Sequence, residues 1–225
     1  ERGDRVVATA RNPATLDDLV AQYPDTLKAV ALDVTDRAQV SAAIATAVSA
    51  FGRLDIVVNN AGYGHFGAIE DVTEEEARAQ IETNVFGALW VTQAALPHLR
   101  EQGSGHIIQI SSIGGIAAFP GLGLYHASKW ALEGFSEALF REVKSFGIHV
   151  TNVEPSGFRT KWNNASAVHS EPSEPYAPIY ARFDGMNQNS VAGDPVRAAA
   201  ALLRLVDEET PPLRLLMGNM AYDTA

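Results

Sequence analysis

Six short apolar runs, separated by longer amphipathic stretches, constrain this 225-residue chain more than any other feature. They are RVVATA at 5–10, KAVAL at 28–32, LDIVV at 54–58, HIIQIS at 106–111, HVTNVE at 149–154 and LRLLM at 213–217. Most read as nearly continuous apolar runs, the pattern of strands buried on both faces. Helical patterns fill the intervals, at about 13–23, 36–51, 73–100, 123–146 and 194–208. Thr73 with Glu76 makes a capping box, and Asp194 before Pro195 marks another helix start. Repeated strand–helix–strand units with right-handed crossovers imply a parallel sheet covered on both faces, a three-layer α/β/α arrangement. The length suits a single domain over 1–225. One segment departs from the rhythm: 155–193, rich in Pro, Ser and Asn, reads as a long excursion of the lid or binding-loop kind rather than a packed element.

Composition narrows the function. A net charge of −10 with no basic patch disfavours nucleic acid and anionic lipid as partners. The absence of cysteine rules out a disulfide, a thiolate nucleophile and cysteine-bound zinc. No apolar run approaches the roughly 20 residues that span a bilayer, and the charged opening is no secretory signal, so a cytoplasmic location is expected. The six histidines show no metal-ligand spacing and read as surface or capping residues. No G-x-S-x-G elbow supports a serine hydrolase.

Two stretches carry chemistry. Gly62, Gly64 and Gly67 fit G-x-G-x-x-G after a strand, yet the next helix start is Thr73, so these glycines lack the helix N-terminus that would receive a pyrophosphate. Asn59-Asn60-Ala61-Gly62 reads either as the carboxyl end of a central strand, where ligands meet open α/β sheets, or as a polar turn. In SSIGGIAAFPGLGLYHASK, Tyr125 and Lys129 stand four apart on one helix face, and the ammonium is expected to lower the phenol's pKa. Ser112, closing the preceding strand, would bring its hydroxyl to the same sheet edge to hydrogen-bond a carbonyl oxygen.

Tyr125-x-x-x-Lys129, Ser112 upstream, Asn59-Asn60-Ala61-Gly62, Asn84 in ETNVFG, Asp33-Val34 in ALDVTD and Pro155-Ser156-Gly157 occur in an order that resembles the classical short-chain dehydrogenases and reductases over nearly the whole chain. The resemblance implies a Rossmann-type doubly wound fold and hydride transfer between a nicotinamide and a ketone or secondary alcohol. Tyr125 would be the acid or base and Ser112 would polarise the substrate oxygen. Lys129 would hold the nicotinamide ribose, and Asn84 would anchor a proton-relaying water. The cofactor would lie along Arg11, Asp33, Val34, Asn60, Ala61, Gly62, Tyr125, Lys129, Pro155, Gly157 and Thr160. Ala10 and Arg11 stand where NAD-preferring relatives place a carboxylate, which favours NADP over NAD.

The family also begins with a strand and a Thr-Gly-x-x-x-Gly-x-Gly loop of about 30 residues that would precede Glu1. The resemblance therefore implies that the first, central strand is missing from this sequence, between the strands at 5–10 and 54–58. An alternative follows: a non-catalytic or inactive truncated member serving as a binding or oligomerisation module. Trp162, Tyr176, Tyr180, Phe183 and Met186 could line an apolar substrate pocket or anchor the loop. Helices 73–100 and 123–146 resemble the pair through which family members form homo-oligomers.

Overall fold

Side chains on successive strand residues point to opposite faces, so a strand between two helical layers is apolar at consecutive positions. The computed structural model, which describes residues 2–160, 162, 167–181 and 193–225, follows this rule. Strands β1 (Val6–Ala10), β2 (Leu27–Ala31), β3 (Ile56–Asn59), β5 (Gly105–Ile110), β6 (Ile148–Pro155) and β8 (Arg214–Met217) correspond to the six runs. In β5, Ile107 belongs to the core cluster with α4 (Ala88–Gln102) and α5 (Gly123–Val143), whereas its neighbour Ile108 packs with Leu205 of α6 (Pro195–Leu205). Each is essentially unexposed, and burial of an isoleucine side chain contributes about 1.5–3 kcal/mol. Val40 and Ala43 of α2 (Arg37–Phe51) join the first cluster.

Among the described residues the strand pairings are parallel, in two larger blocks, β1–β2 and β3–β5–β6–β8, with a separate two-residue pair further on in the chain. Parallel strands put all their carboxyl ends at one edge, and ligands of open α/β sheets sit there. Among the described residues β1 pairs only with β2, and β3 only with β5. Val6, Ile56 and Val58 on these strands are exposed apolar residues, at the place where the resemblance puts a further strand. The expected caps are present. Thr73 and Glu76 form the capping box of α3 (Glu74–Ile81), and the Asp194 carboxylate accepts from Val196 N at the start of α6. Short helices α1 (Asp17–Gln22) and α7 (Asn219–Thr224) complete the order.

Three departures from the sequence reading bear on the site. The helix expected over 73–100 is not one α-helix, because Glu82–Gly87, between α3 and α4, is π-helical. The histidines are not all at the surface: His65, His106 and His126 are buried. The excursion is packed where described. Strand β7 (Val168–His169) pairs with β4 (His65–Phe66), and Ser170 Oγ donates to Glu76 at 3.1 Å and lies 3.2 Å from His65 Nε2. Tyr180 donates to Asp71 at 2.7 Å and accepts from Ala68 N, while Tyr176 donates to Glu70 at 2.6 Å. These two tyrosines are therefore loop anchors.

Candidate active site

Gly62 and Gly64 lead into the two-residue strand β4 and Gly67 follows it, with α3 beginning only at Glu74, so they form no phosphate loop opening an α-helix. The chemistry collects instead where β5 ends. Ser112 caps the short 3₁₀ turn Ile113–Gly115, its Oγ accepting from Gly114 N at 3.0 Å. The turn is held from behind by His126. Its Nδ1 lies 3.1 Å from Gly114 O and its Nε2 accepts from Phe119 N, which fixes the proton on Nδ1. One turn of α5 separates Tyr125 from Lys129, so both lie on one helix face, the phenol meeting Ser112 and the amine meeting Ile110 O. Ser112, Tyr125 and Lys129 are all more than nine-tenths buried.

The Ser112 hydroxyl hydrogen-bonds the Tyr125 phenol, which favours the phenolate, but burial outweighs that and pushes the phenol up to about 12. The expectation that Lys129 lowers the phenol's pKa is corrected here. Lys129 Nζ lies 5.8 Å from the ring centroid and donates to Ile110 O at 2.7 Å. Burial in turn lowers the ammonium to about 8, against the opposing charge of Glu133. Desolvation thus disfavours the charged form of each partner.

Asn84 lies within the π segment, a geometry often found at functional sites. Three of its four hydrogen-bonding positions are used. Oδ1 accepts from Tyr63 N at 3.1 Å, and Nδ2 donates to Tyr63 O and to Ser128 Oγ, each at 3.0 Å. Ser128 donates onward to Tyr125 O at 2.7 Å, joining Asn84 to the helix that carries Tyr125 and Lys129. Sequence reasoning missed Ser128; its signal was its place three residues after Tyr125, on the same helix face. A Cβ on Gly62 would sit 3.0 Å from Asn84 Oδ1 and 3.8 Å from Lys129 Nζ. Only glycine leaves that approach open.

Trp162 supplies an apolar wall, edge-on to Tyr125 at 5.1 Å and to Phe66 at 5.6 Å, with Leu122 in the same cluster. Of the described residues offered as pocket lining, Trp162 is placed against Tyr125; Phe183 and Met186 lie outside the described residues. Along the rest of the edge, Asn60 and Ala61 are exposed after β3, and Pro155, Gly157 and Thr160 follow from β6, where Gly157 O accepts from Gly193 N. Arg11, at the end of β1, is close enough to lower the Asp33 carboxylate, although Thr35 donors at 2.8 and 3.0 Å lower it more. Asp33 is therefore already hydrogen-bonded within its own turn. Val34 packs against Gly87 of the π segment. These residues fit a dinucleotide laid across the edge: an exposed arginine at one end, open glycine and alanine backbone in the middle, and a buried amine and phenol at the other.

Among the described residues no group of His, Asp or Glu is placed to hold a metal ion, and no helix is long and apolar enough to cross a membrane.

Comparison with known proteins gives the family. Residues 1–170 match the family model for short chain dehydrogenase. The chain is 44% identical to the oxidoreductase BOA17 of Botryotinia fuckeliana, over 99% of this chain and 83% of that one. It superposes with a TM-score of 0.92 on a crystal structure of a short-chain dehydrogenase from Streptomyces avermitilis, at 45% identity over 99% of this chain and 82% of that one. A closed serine dehydrogenase complexed with NADP+ superposes at 0.82 with 27% identity, covering 96% of this chain and 85% of that one. The chain belongs to the short-chain dehydrogenase family and is an NAD(P)-dependent dehydrogenase or reductase.

Proposed function

We propose that the protein transfers hydride between NADP and a ketone or secondary alcohol, with Tyr125 as the acid or base. The observation that carries this reading is the convergence of Ser112, Tyr125 and Lys129 in one buried cluster at the carboxyl edge of the sheet. When bound, the nicotinamide supplies or accepts the hydride. Ser112 orients the substrate oxygen next to the phenol, and a neutral Tyr125 holds the proton that this oxygen needs as it becomes an alcohol. A phenol pushed up to about 12 is protonated at neutral pH, the form that donates to a carbonyl oxygen. Lys129 would hold the ribose hydroxyls. Asn84 ties the Tyr63 turn to Ser128 and so keeps α5 in register with β3. A water held at Asn84 would donate to the remaining acceptor position of Oδ1, since both amide protons are already used.

Arg11 supports NADP over NAD, because a guanidinium suits a 2′-phosphate and no carboxylate stands at Ala10. Asp33 and Val34 would meet the adenine; Asn60, Ala61 and Gly62 the ribose backbone; Pro155, Gly157 and Thr160 the nicotinamide side. Trp162, Phe66 and Leu122 suit an apolar carbonyl substrate. The four intact side chains argue against a non-catalytic binding or oligomerisation module. Exposed Phe86 and Trp130 on the helical layer of α4 and α5 suit a homo-oligomer contact. Nicotinamide fluorescence tests the cofactor reading. NADPH is expected to bind at least tenfold more tightly than NADH, and purified protein that binds neither would overturn it.

A further inference from the structure

Behind Lys129, away from Tyr125, lies a second group of buried charges that the hydride-transfer reading does not use. Strand register sets it up. On the sheet face that α4 and α5 cover, Asn59, Gln109, Asn152 and Arg214 are paired in sequence across β3, β5, β6 and β8. This makes a polar row across the whole sheet. Glu154, two residues after Asn152 on β6, shares that face, and Glu133 comes down on it from α5 one turn after Lys129. Glu133 Oε2 accepts from Asn152 Nδ2 at 2.5 Å, and Arg214 Nε lies 3.4 Å from both Glu133 Oε2 and Glu154 Oε1.

Glu133 is 5% exposed and Glu154 1%, and each retains a buried oxygen, Oε1, without a hydrogen-bond partner. Two ionised carboxylates are acceptors only and cannot satisfy each other. Arg214 Nε lies within 3.4 Å of an oxygen of each, and a hydrogen bond with Glu133 helps to raise Glu154, so a single proton between them relieves the contact of two like charges, as in other close carboxyl pairs. The other groups facing the pair are few. Lys129 and Glu137 project from α5 and Arg214 from β8, whereas β5 and the residue after it offer only uncharged Gln109 and Ser111, and the turn at Ile113–Gly115 has no titratable side chain. Arg214 and Glu137, joined at 3.0 Å, are both partly exposed and connect the cluster to solvent. On the other side Glu133 Oε1 faces Ser111 and Gly115, the back of the Ser112 turn.

We propose that Glu133 and Glu154 hold one proton between them and serve as the proton reserve of Lys129. This rests on the reading of Tyr125 and Lys129 as the acid–base pair. When Lys129 gives up a proton to the site, the shared O–H bond breaks, the proton joins the Nζ lone pair and restores the ammonium, and both carboxylates stay ionised until solvent returns a proton at the Arg214–Glu137 edge. No electrons are exchanged. Burial and the charge of Glu133 raise Glu154 to about 7, and burial lowers Lys129 to about 8, so both groups exchange protons near neutral pH. Glu133 and Glu154 are positioning residues, acting through Lys129.

Two measurements test this. Infrared titration of the purified protein, with no substrate or dinucleotide present, should show a protonated carboxylic acid band at pH 6 that fades through about pH 7 and is lost in Glu154→Gln. A spectrum with no such band would overturn the shared proton, whatever the enzyme's substrate proves to be. Carbonyl reduction is then followed against pH in wild type, Glu133→Gln and Glu154→Gln. The expected result is a fall in kcat of about tenfold or more, a larger solvent deuterium effect and a displaced pH profile, with NADPH affinity within twofold of wild type and partial rescue by Glu133→Asp. If Glu133→Gln does not fold, Glu154→Gln, which cannot release a proton, carries the same expectation. A wild-type kcat profile and solvent isotope effect in the folded variants would overturn the link to Lys129.

Discussion

Asn84→Ala should destabilise the protein by about 3 kcal/mol, and the figure follows from its contacts. Asn84 is 1% exposed and makes three hydrogen bonds, to Tyr63 N, Tyr63 O and Ser128 Oγ. Tyr63 O keeps a second donor, Gln80 Nε2, and Ser128 keeps its bond to Tyr125 O. Tyr63 N is left without its acceptor. An unsatisfied donor costs about 1–3 kcal/mol and each lost bond to a still-partnered group about 0.5–1 kcal/mol, giving about 3 kcal/mol in total. In a chain of this size that lowers Tm by about 6–12 °C. Asn84→Asp should be at least as damaging at pH 7, because an oxygen replaces the donor that faces Tyr63 O and Ser128 Oγ. Its folded-state pKa would be raised, so the folded state binds the extra proton and the variant should regain stability as pH falls. Urea unfolding at pH 7 and pH 5 measures both effects. An Asn84→Ala protein within 0.5 kcal/mol of wild type, on the order of the scatter of surface substitutions, would refute the reasoning.

Other consequences are equally direct. Gly64→Ala would bring a methyl to within about 3 Å of the Trp162 indole, tighter than normal contact; Trp162 should leave Tyr125, shift its fluorescence and raise the KM for an apolar ketone at least severalfold. Arg11→Glu should reverse the dinucleotide preference, with NADPH affinity falling at least tenfold in a fluorescence titration. His106, lowered to about 4 by burial and then by His149, binds fewer protons folded than unfolded between pH 4 and 6.5. Stability should therefore rise with pH across that window by about 3 kcal/mol, and His106→Gln should flatten this limb in unfolding curves.

Much of the frame was legible because strands buried on both faces leave near-continuous apolar runs, and because Tyr125 and Lys129 stand at helical spacing after a strand-ending serine. The π segment was not, since one inserted residue leaves the apolar pattern on either side unchanged. Glu133 and Glu154 were invisible as a pair, because acidic residues ordinarily read as solvated; only the register of β5, β6 and β8 and the descent of α5 bury them together. The sign of the Tyr125 shift was also hidden. Spacing reveals a neighbouring ammonium, but not the desolvation that outweighs it. The excursion read as unpacked because the anchors that hold it, Asp71, Glu76 and Ala68, lie about a hundred residues away in sequence.

The central claim is hydride transfer governed by Tyr125, and isotope tracing tests it most directly. Purified protein is incubated with NADPH carrying deuterium at the nicotinamide C4 and an apolar ketone, and the product alcohol is read by mass spectrometry. Deuterium at the carbinol carbon with wild type, and at least a thousandfold less with a Tyr125→Phe protein that still binds NADPH, is the predicted result. Product formed equally fast by Tyr125→Phe, or an alcohol without deuterium, would contradict it.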